Sequence, residues 1–314
     1  MVPLSFWIGF HGLLLAFLAL DLGVFHRAPK PVSLRDAAIW SVVWIVAALA
    51  FNAGVYAYLG PARGLEFFTG YLIERALSID NIFVFVVVFS YFGVPGDHQH
   101  RVLFWGILGA LGLRGALIAA GAVLLERFHW VNFLFGAFVL VTGVRFFFHR
   151  PEKIDVGRNP VLRLARRFLP VTQGYEGGAF LVKRAGGWAV TPLLLVLLVV
   201  ESVDVAFALD SIPAIFAVTR VPFIVYTSNV FAILGLRASY FLMAALVPRL
   251  TYLSAGLAAV LVFIGLKMLG AAWFTMTTGV SLLIVLLLLG AAAGASLLAP
   301  APRTGKAGNR RDAQ

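Results

Sequence analysis

Residues 77–85 read LSIDNIFVF, an aspartate and an asparagine inside an apolar run long enough to cross a bilayer. An ionised carboxylate in hydrocarbon is costly unless it is paired, hydrated or ligated, so Asp80 needs a partner. The pattern returns further along the chain. SIDNIF at 78–83 matches SVDVAF at 202–207, LGLRG at 111–115 matches LGLRA at 234–238, and TGVRF at 142–146 weakly matches IGLKM at 264–268. Asp80 and Asp204, Arg114 and Arg237, and Arg145 and Lys267 are thus separated by 124, 123 and 122 residues. Three short matches in one order at a nearly constant offset mark an internal repeat.

Composition sets the surroundings of that repeat. Of 314 residues, 61% are hydrophobic and 12% charged, with a mean hydropathy of +0.95, which places the chain among all-α polytopic membrane proteins. Apolar runs of about 20 residues predict nine spans, at 6–25, 38–59, 67–91, 102–125, 128–147, 191–218, 222–246, 253–273 and 275–298. Each repeat match falls on a different span, so the unit is three helices, spans 3–5 recurring as 6–8. An odd number of crossings makes the second copy enter from the opposite face, the inverted topology of many secondary transporters, whose sites lie at the repeat interface near the midplane.

The net charge of +11 is a topology signal and not a nucleic-acid footprint. Alternate loops and the tail hold 18 of the 25 lysines and arginines, which by the positive-inside rule puts the N-terminus outside and the C-terminus inside. Residues 1–298 read as the membrane domain, with repeats at about 65–147 and 191–273. Between them lies a basic cytoplasmic loop at about 148–190, and residues 299–314 form a disordered basic tail. Within the loop, NPVLRLARRFLP sets Val161, Leu162, Leu164, Ala165, Phe168 and Leu169 against Arg163, Arg166 and Arg167, as expected of a helix on anionic headgroups or of a loop that merely fixes orientation.

Asp21, Glu74, Asp80, Glu201, Asp204 and Asp210 fall within spans, against Arg75, Arg114, Arg237 and Lys267. The excess of two negative charges suits one divalent cation or two protons. Glu74, Ser78 and Asn81 share a helical face, with Asp80 beside it. Pro213 removes a backbone donor and clashes with the carbonyl of Leu209, which predicts a kink or unwound turn next to Asp210. Asn229 adds a neutral oxygen. Cysteine is absent, and five of the six histidines fall near span ends. The donors are therefore oxygens, the set preferred by Mn²⁺, Mg²⁺ and Ca²⁺. The expected metal residues are Glu74, Asp80, Asn81, Glu201, Asp204 and Asp210, supported by Asp21, Ser78, Arg114, Asn229, Arg237 and Lys267. Structural pairing of these carboxylates with Arg114 or Arg237 is the competing interpretation.

The blocks ALDLGVFHR, ERALSIDNIFVF, QHRVLFWGILGAL, TPLLLVLLVVESVDVAFALDSIPAIFAV, TSNVFAILGLRASYF and IGLKM resemble those of the TerC/Alx family of integral membrane proteins, within the LysE-type transporter group, over about residues 16–275. The resemblance implies a link to tellurite resistance and to manganese export or manganese supply to extracytoplasmic proteins, with the family's acidic motifs on Glu74, Asp80, Asn81, Asp204 and Asp210. Tellurite is an oxyanion unsuited to a carboxylate-lined site, so that phenotype reads as indirect.

The resulting expectation is a bacterial inner-membrane secondary transporter, not an enzyme. It would export a divalent cation, foremost Mn²⁺, in exchange for protons, with no permanently bound cofactor. Its partners would be the lipid bilayer, the cation, protons and an extracytoplasmic metalloprotein, with no nucleic acid. The alternative is a scaffold or metallation factor that transports nothing. An intramembrane aspartyl hydrolase is disfavoured because Asp80 and Asp204 sit in S-[IV]-D contexts without a preceding G-x-G.

Overall fold

The structure, a computed structural model, describes residues 2–25, 34–148, 156–184, 187–236, 239, 240, 242, 252–273 and 276–298. The tail after 298, Arg237 and the side chains of Asp21, Asp80 and Asn81 lie outside the described part. Ten α-helices are described: α1 Leu4–Phe25, α2 Leu34–Leu59, α3 Pro61–Phe92, α4 Gly96–Arg127, α5 Val131–Phe148, α6 Pro160–Phe168, α7 Pro192–Phe216, α8 Pro222–Leu234, α9 Leu253–Leu269 and α10 Thr278–Leu298. A short hairpin, β1 Leu181–Arg184 paired antiparallel with β2 Gly187–Val190, precedes α7.

The chain is an all-α polytopic membrane protein. Five helices are individually long and apolar enough to cross a bilayer, and three shorter ones, in α1, α8 and α9, are equally apolar. Large apolar side chains such as Leu15, Val42 and Leu287 stand on the outside of the bundle, where lipid and not water is the solvent. The predicted span at 222–246 is not one helix. α8 stops at Leu234, and Gly235 caps it. Here Arg75 of α3 donates to the carbonyl of Ala232, in the last turn of α8, and to Ser239 Oγ beyond the break, 3.2 and 2.5 Å away. A side-chain cation thus meets carbonyls that helix termination leaves without an intrahelical donor.

The helices pack as two interlocked triplets. α3 packs on α8 and α4 on α7, while α3 meets α7, α4 meets α8 and α5 meets α9 most extensively of all. Exchanging α3, α4, α5 with α7, α8, α9 reproduces this set of contacts. The crossing of α5 and α9 shows the relation at atomic scale. A Cβ on Gly143 would lie 2.7 Å from the backbone nitrogen of Val262, and one on Gly265 would lie 2.6 Å from that of Leu140. Both pairs are related by the repeat offset of 122. Gly136 meets Met268 while Gly143 meets Leu261, so the two helices run antiparallel.

The segment after α5 carries the short helix α6 and packs on the bundle through its apolar side chains. Val156, Leu162 and Ala165 are buried in the same apolar cluster as Val84, Phe85 and Val88 of α3 and Leu195, Val196 and Val199 of α7. One side of α6 thus packs on the bundle through Leu162 and Ala165, while Arg163, Leu164, Arg166, Arg167 and Phe168 stand exposed on the other. The hairpin ties this end together: Tyr175 Oη donates to the carbonyl of Phe92 at 2.8 Å, and Arg101 lies over the ring of Phe180.

Candidate functional site

Four helices each turn a stripe of small or polar residues inward at the same level. On α3 these are Glu74 and Ser78, one turn apart; on α4 Ala110 and Arg114; on α7 Asp204 and Ala208; on α8 Thr227, Ser228 and Asn229. Arg114 is the hub and is only 1% exposed. Its Nε and Nη2 donate to Oδ2 and Oδ1 of Asp204 at 3.0 and 2.8 Å, a two-pronged pair. Nη1 donates to Glu74 Oε1 and to Asn229 Oδ1, the latter at 3.4 Å. Planar forked recognition of this kind is what arginine, and not lysine, provides.

Two carboxylates on one guanidinium leave the trio with one net negative charge. Both Asp204 oxygens accept from Arg114, whereas Glu74 uses only one in this way. Glu74 Oε2, Ser78 Oγ, Asn229 Nδ2, Glu201 Oε2 and Ser211 Oγ are buried without a hydrogen-bond partner. Such groups in a protein interior are uncommon and call for a ligand, an ion or water.

Glu74 also lines a cavity with Leu77, Phe146, Phe207, Asp210, Ser211 and Leu261, within which the centre of a water-sized sphere can move over about 20 Å³. That is room for roughly one water or one small ion. Asp210 accepts from Thr142 Oγ1 of α5 at 3.4 Å and faces the charge of Arg145. The backbone beside it is not unwound: α7 continues through Pro213 to Phe216. Pro213 falls in the final turn, where little helix remains for its missing N–H to disrupt. A second small cavity, lined by Phe85, Leu103, Gly106, Val200 and Asp204 among others, lies on the hairpin side of the trio.

The structure thus gathers Glu74, Arg114, Asp204 and Asn229 directly and brings Asp210 and Ser211 to the far side of Glu74. Glu201 lies beside Asp204, its carboxylate seated where a Cβ on Gly109 would stand. Lys267 is apart, at the opposite end of the bundle from the hairpin, in the field of Glu66, which accepts from Arg63 and from Thr219 Oγ1. Among the described residues no three histidine, aspartate or glutamate side chains converge as a ready metal cage. Ser211, Thr142 and Glu66 were not singled out by the sequence. Ser211 adjoins Asp210 in ALDSIP, but a lone serine in an apolar helix carries no charge cost to mark it.

Comparison with known proteins agrees with this architecture. The description "Integral membrane protein TerC family" matches residues 59–302. The chain is 52% identical over 292 residues to an uncharacterized membrane protein, STKORF319, of Myxococcus xanthus, covering 93% of this chain and 92% of that one. It is 45% identical over 288 residues to the "Putative membrane-bound redox modulator Alx" of Escherichia coli (strain K12), covering 89% and 90%. A membrane protein of Rickettsia felis is 38% identical over 283 residues, covering 90% and 94%. No solved structure matches. On the extent of the family match and the identity to these relatives, the chain belongs to the TerC family of integral membrane proteins.

Proposed function

We propose that this protein is a secondary transporter that exports a divalent cation, with Mn²⁺ the foremost candidate, in exchange for protons. The observation that carries the reading is Glu74. Its carboxylate is buried between membrane helices, gives one oxygen to Arg114, leaves the other without a partner and borders a cavity shared with Asp210 and Ser211. The polar groups on this cavity, Glu74, Asp210 and Ser211, offer only oxygen donors and carry excess negative charge, as a hard divalent cation requires. Donor chemistry alone accommodates Mg²⁺, Ca²⁺ and Mn²⁺, and the choice of Mn²⁺ follows the family's association with manganese.

In this reading Arg114 has two tasks. It compensates part of the buried negative charge when no cation is bound, and it holds Asp204 and Glu74 at a fixed spacing. Protons supply the other compensation, because mutually repelling carboxylates bind protons when the metal leaves. Asp80, on the repeat partner of the Asp204 helix, completes the proposed acidic set.

The relatives named redox modulators invite a second reading, but this chain has no cysteine, so thiol–disulfide chemistry cannot reside on it. A metallation scaffold remains the contrasting role, and its activity would survive loss of the intramembrane carboxylates. The test is ⁵⁴Mn²⁺ flux in inverted vesicles under an imposed pH gradient. Glu74→Gln and Asp210→Asn are expected to abolish flux, as are Asp80→Asn and Asp204→Asn. Undiminished flux in Glu74→Gln and Asp210→Asn together would refute the assignment.

A further inference from the structure

α6 buries one narrow strip and leaves the rest of its surface open. At about 100° per residue, its circumference runs from Leu162 and Ala165, which pack on the bundle, to Phe168 and Leu164, then to Arg167, Arg163 and Arg166. Leu164 and Phe168 are 60% and 69% exposed, so a strip of bare apolar surface lies between the bundle and three arginines. Water on this side leaves the apolar strip unburied, and hydrocarbon strands the guanidiniums. A headgroup layer meets both, with the strip against the acyl boundary and the arginines among the phosphates.

The hairpin continues the same surface. Thr172 donates to the carbonyl of Val190 and Val190 to that of Pro170, both at 2.9 Å, so the chain leaving α6 runs beside β2. Lys183 pairs with Trp188 and Leu181 with Val190, and side chains two apart or directly opposite share one face of a ladder. That face presents Leu181, Lys183 and Trp188, the last 65% exposed. Tryptophan is enriched at membrane–water interfaces, where its ring sits at the headgroup level. The depth fits as well. Tyr175 Oη donates to the carbonyl of Phe92, the last residue of α3, so this surface stands where α3 ends and α7 begins.

Charge selects the kind of lipid. Residues 156–190 hold Arg158, Arg163, Arg166, Arg167, Lys183 and Arg184 against a single acid, Glu176, which Arg184 already engages. Among the described residues no carboxylate pairs with Arg163, Arg166 or Arg167. Arg163 reaches the carbonyl of Arg158, and Arg167 lies over the ring of Phe168. Such an excess of cations follows the positive-inside pattern, which sets this end against the anionic cytoplasmic leaflet.

We propose that the open side of α6 and the Leu181–Trp188 face of the hairpin form a binding surface for anionic phospholipid headgroups. Arg163, Arg166 and Arg167 take the phosphate oxygens, and Leu164, Phe168 and Trp188 sit at the acyl boundary. The surface is independent of what the carboxylate site carries.

The absence of cysteine lets Leu164→Cys carry a bimane as a single reporter. Protein in maltoside micelles is titrated with phosphatidylglycerol and, separately, with phosphatidylcholine. Phosphatidylglycerol is expected to shift the emission to the blue at a several-fold lower lipid fraction. Combining Arg163→Gln, Arg166→Gln and Arg167→Gln, all outside the packed core, is expected to raise the half-saturating fraction about fivefold for each arginine lost. The corresponding triple change to lysine is expected to restore most of the response. A bimane at Trp188→Cys reads the same titration from the hairpin, so that a local fault in α6 is not mistaken for lost binding. Equal responses to the two lipids, or a curve that the glutamine changes do not move, overturn the proposal. A shift produced by inorganic phosphate or polyglutamate and not by phosphatidylglycerol also overturns it, in favour of a free-anion or acidic-protein surface.

Discussion

A guanidinium presents five N–H groups in one plane, and Arg114 aims all three of its nitrogens at Glu74, Asp204 and Asn229. Replacing one member of such a set leaves the others charged and dry. Arg114→Met is therefore expected to destabilise the protein by about 3 kcal/mol or more, seen as a lower melting temperature in detergent. Arg114→Lys keeps the charge but cannot serve both carboxylates in the same plane, and should fall between Met and wild type. The individual acids were readable from the sequence, since ionisable residues in apolar spans are rare. Their division of labour was not. Nothing in SVDVAF or ERALS says that Asp204 gives both oxygens to arginine while Glu74 gives one. That depends on where α4 places its guanidinium between α3 and α7.

At the scale of elements, close crossing of α5 and α9 depends on Gly143 and Gly265, each of which admits the other helix's backbone. A methyl group at either position must push the two apart. Gly143→Ala and Gly265→Ala are each expected to cost about 1–3 kcal/mol, measured by thermal or denaturant unfolding in micelles. The double variant should cost less than the sum, because one separation relieves both clashes. TGVRF and IGLKM looked like the weakest repeat match, yet they retain the one residue on which the crossing depends. The α6 segment was legible as an amphipathic helix, but what its apolar side meets was not. A short helix with arginines on one side has the same pattern whether its apolar side meets lipid or protein, and only the burial of Leu162 and Ala165 decides. The break of α8 at Gly235 was equally hidden, since the residues on either side continue an apolar run.

For the whole molecule, the number of crossings fixes where the ends lie. Nine spans are expected from the sequence, five of the described helices being individually long and apolar enough to cross a bilayer, and an odd count would place the two termini on opposite faces. The expected outcome is that a tag at the C-terminus is accessible from the face bearing Arg184, and a tag at the N-terminus from the other. Protease protection in oriented vesicles checks it. The even-handed exchange of α3, α4, α5 for α7, α8, α9 was legible as an offset of 122–124 residues, because a repeated backbone keeps its spacing even where side chains diverge. The polar features differ between the halves. Glu74 and Glu201 stand opposite Leu198 and Leu77 in the repeat, so the chemistry is less symmetric than the scaffold.

The reciprocal glycine contact has a mechanical corollary. Two stiff rods touching at backbone distance near a dyad behave as a fulcrum, so any tilt that spreads the halves at one end must draw them together at the other. Under the proposed transport function, such a pivot keeps the two mouths from being open at once, so that ion gradients are not short-circuited through the protein.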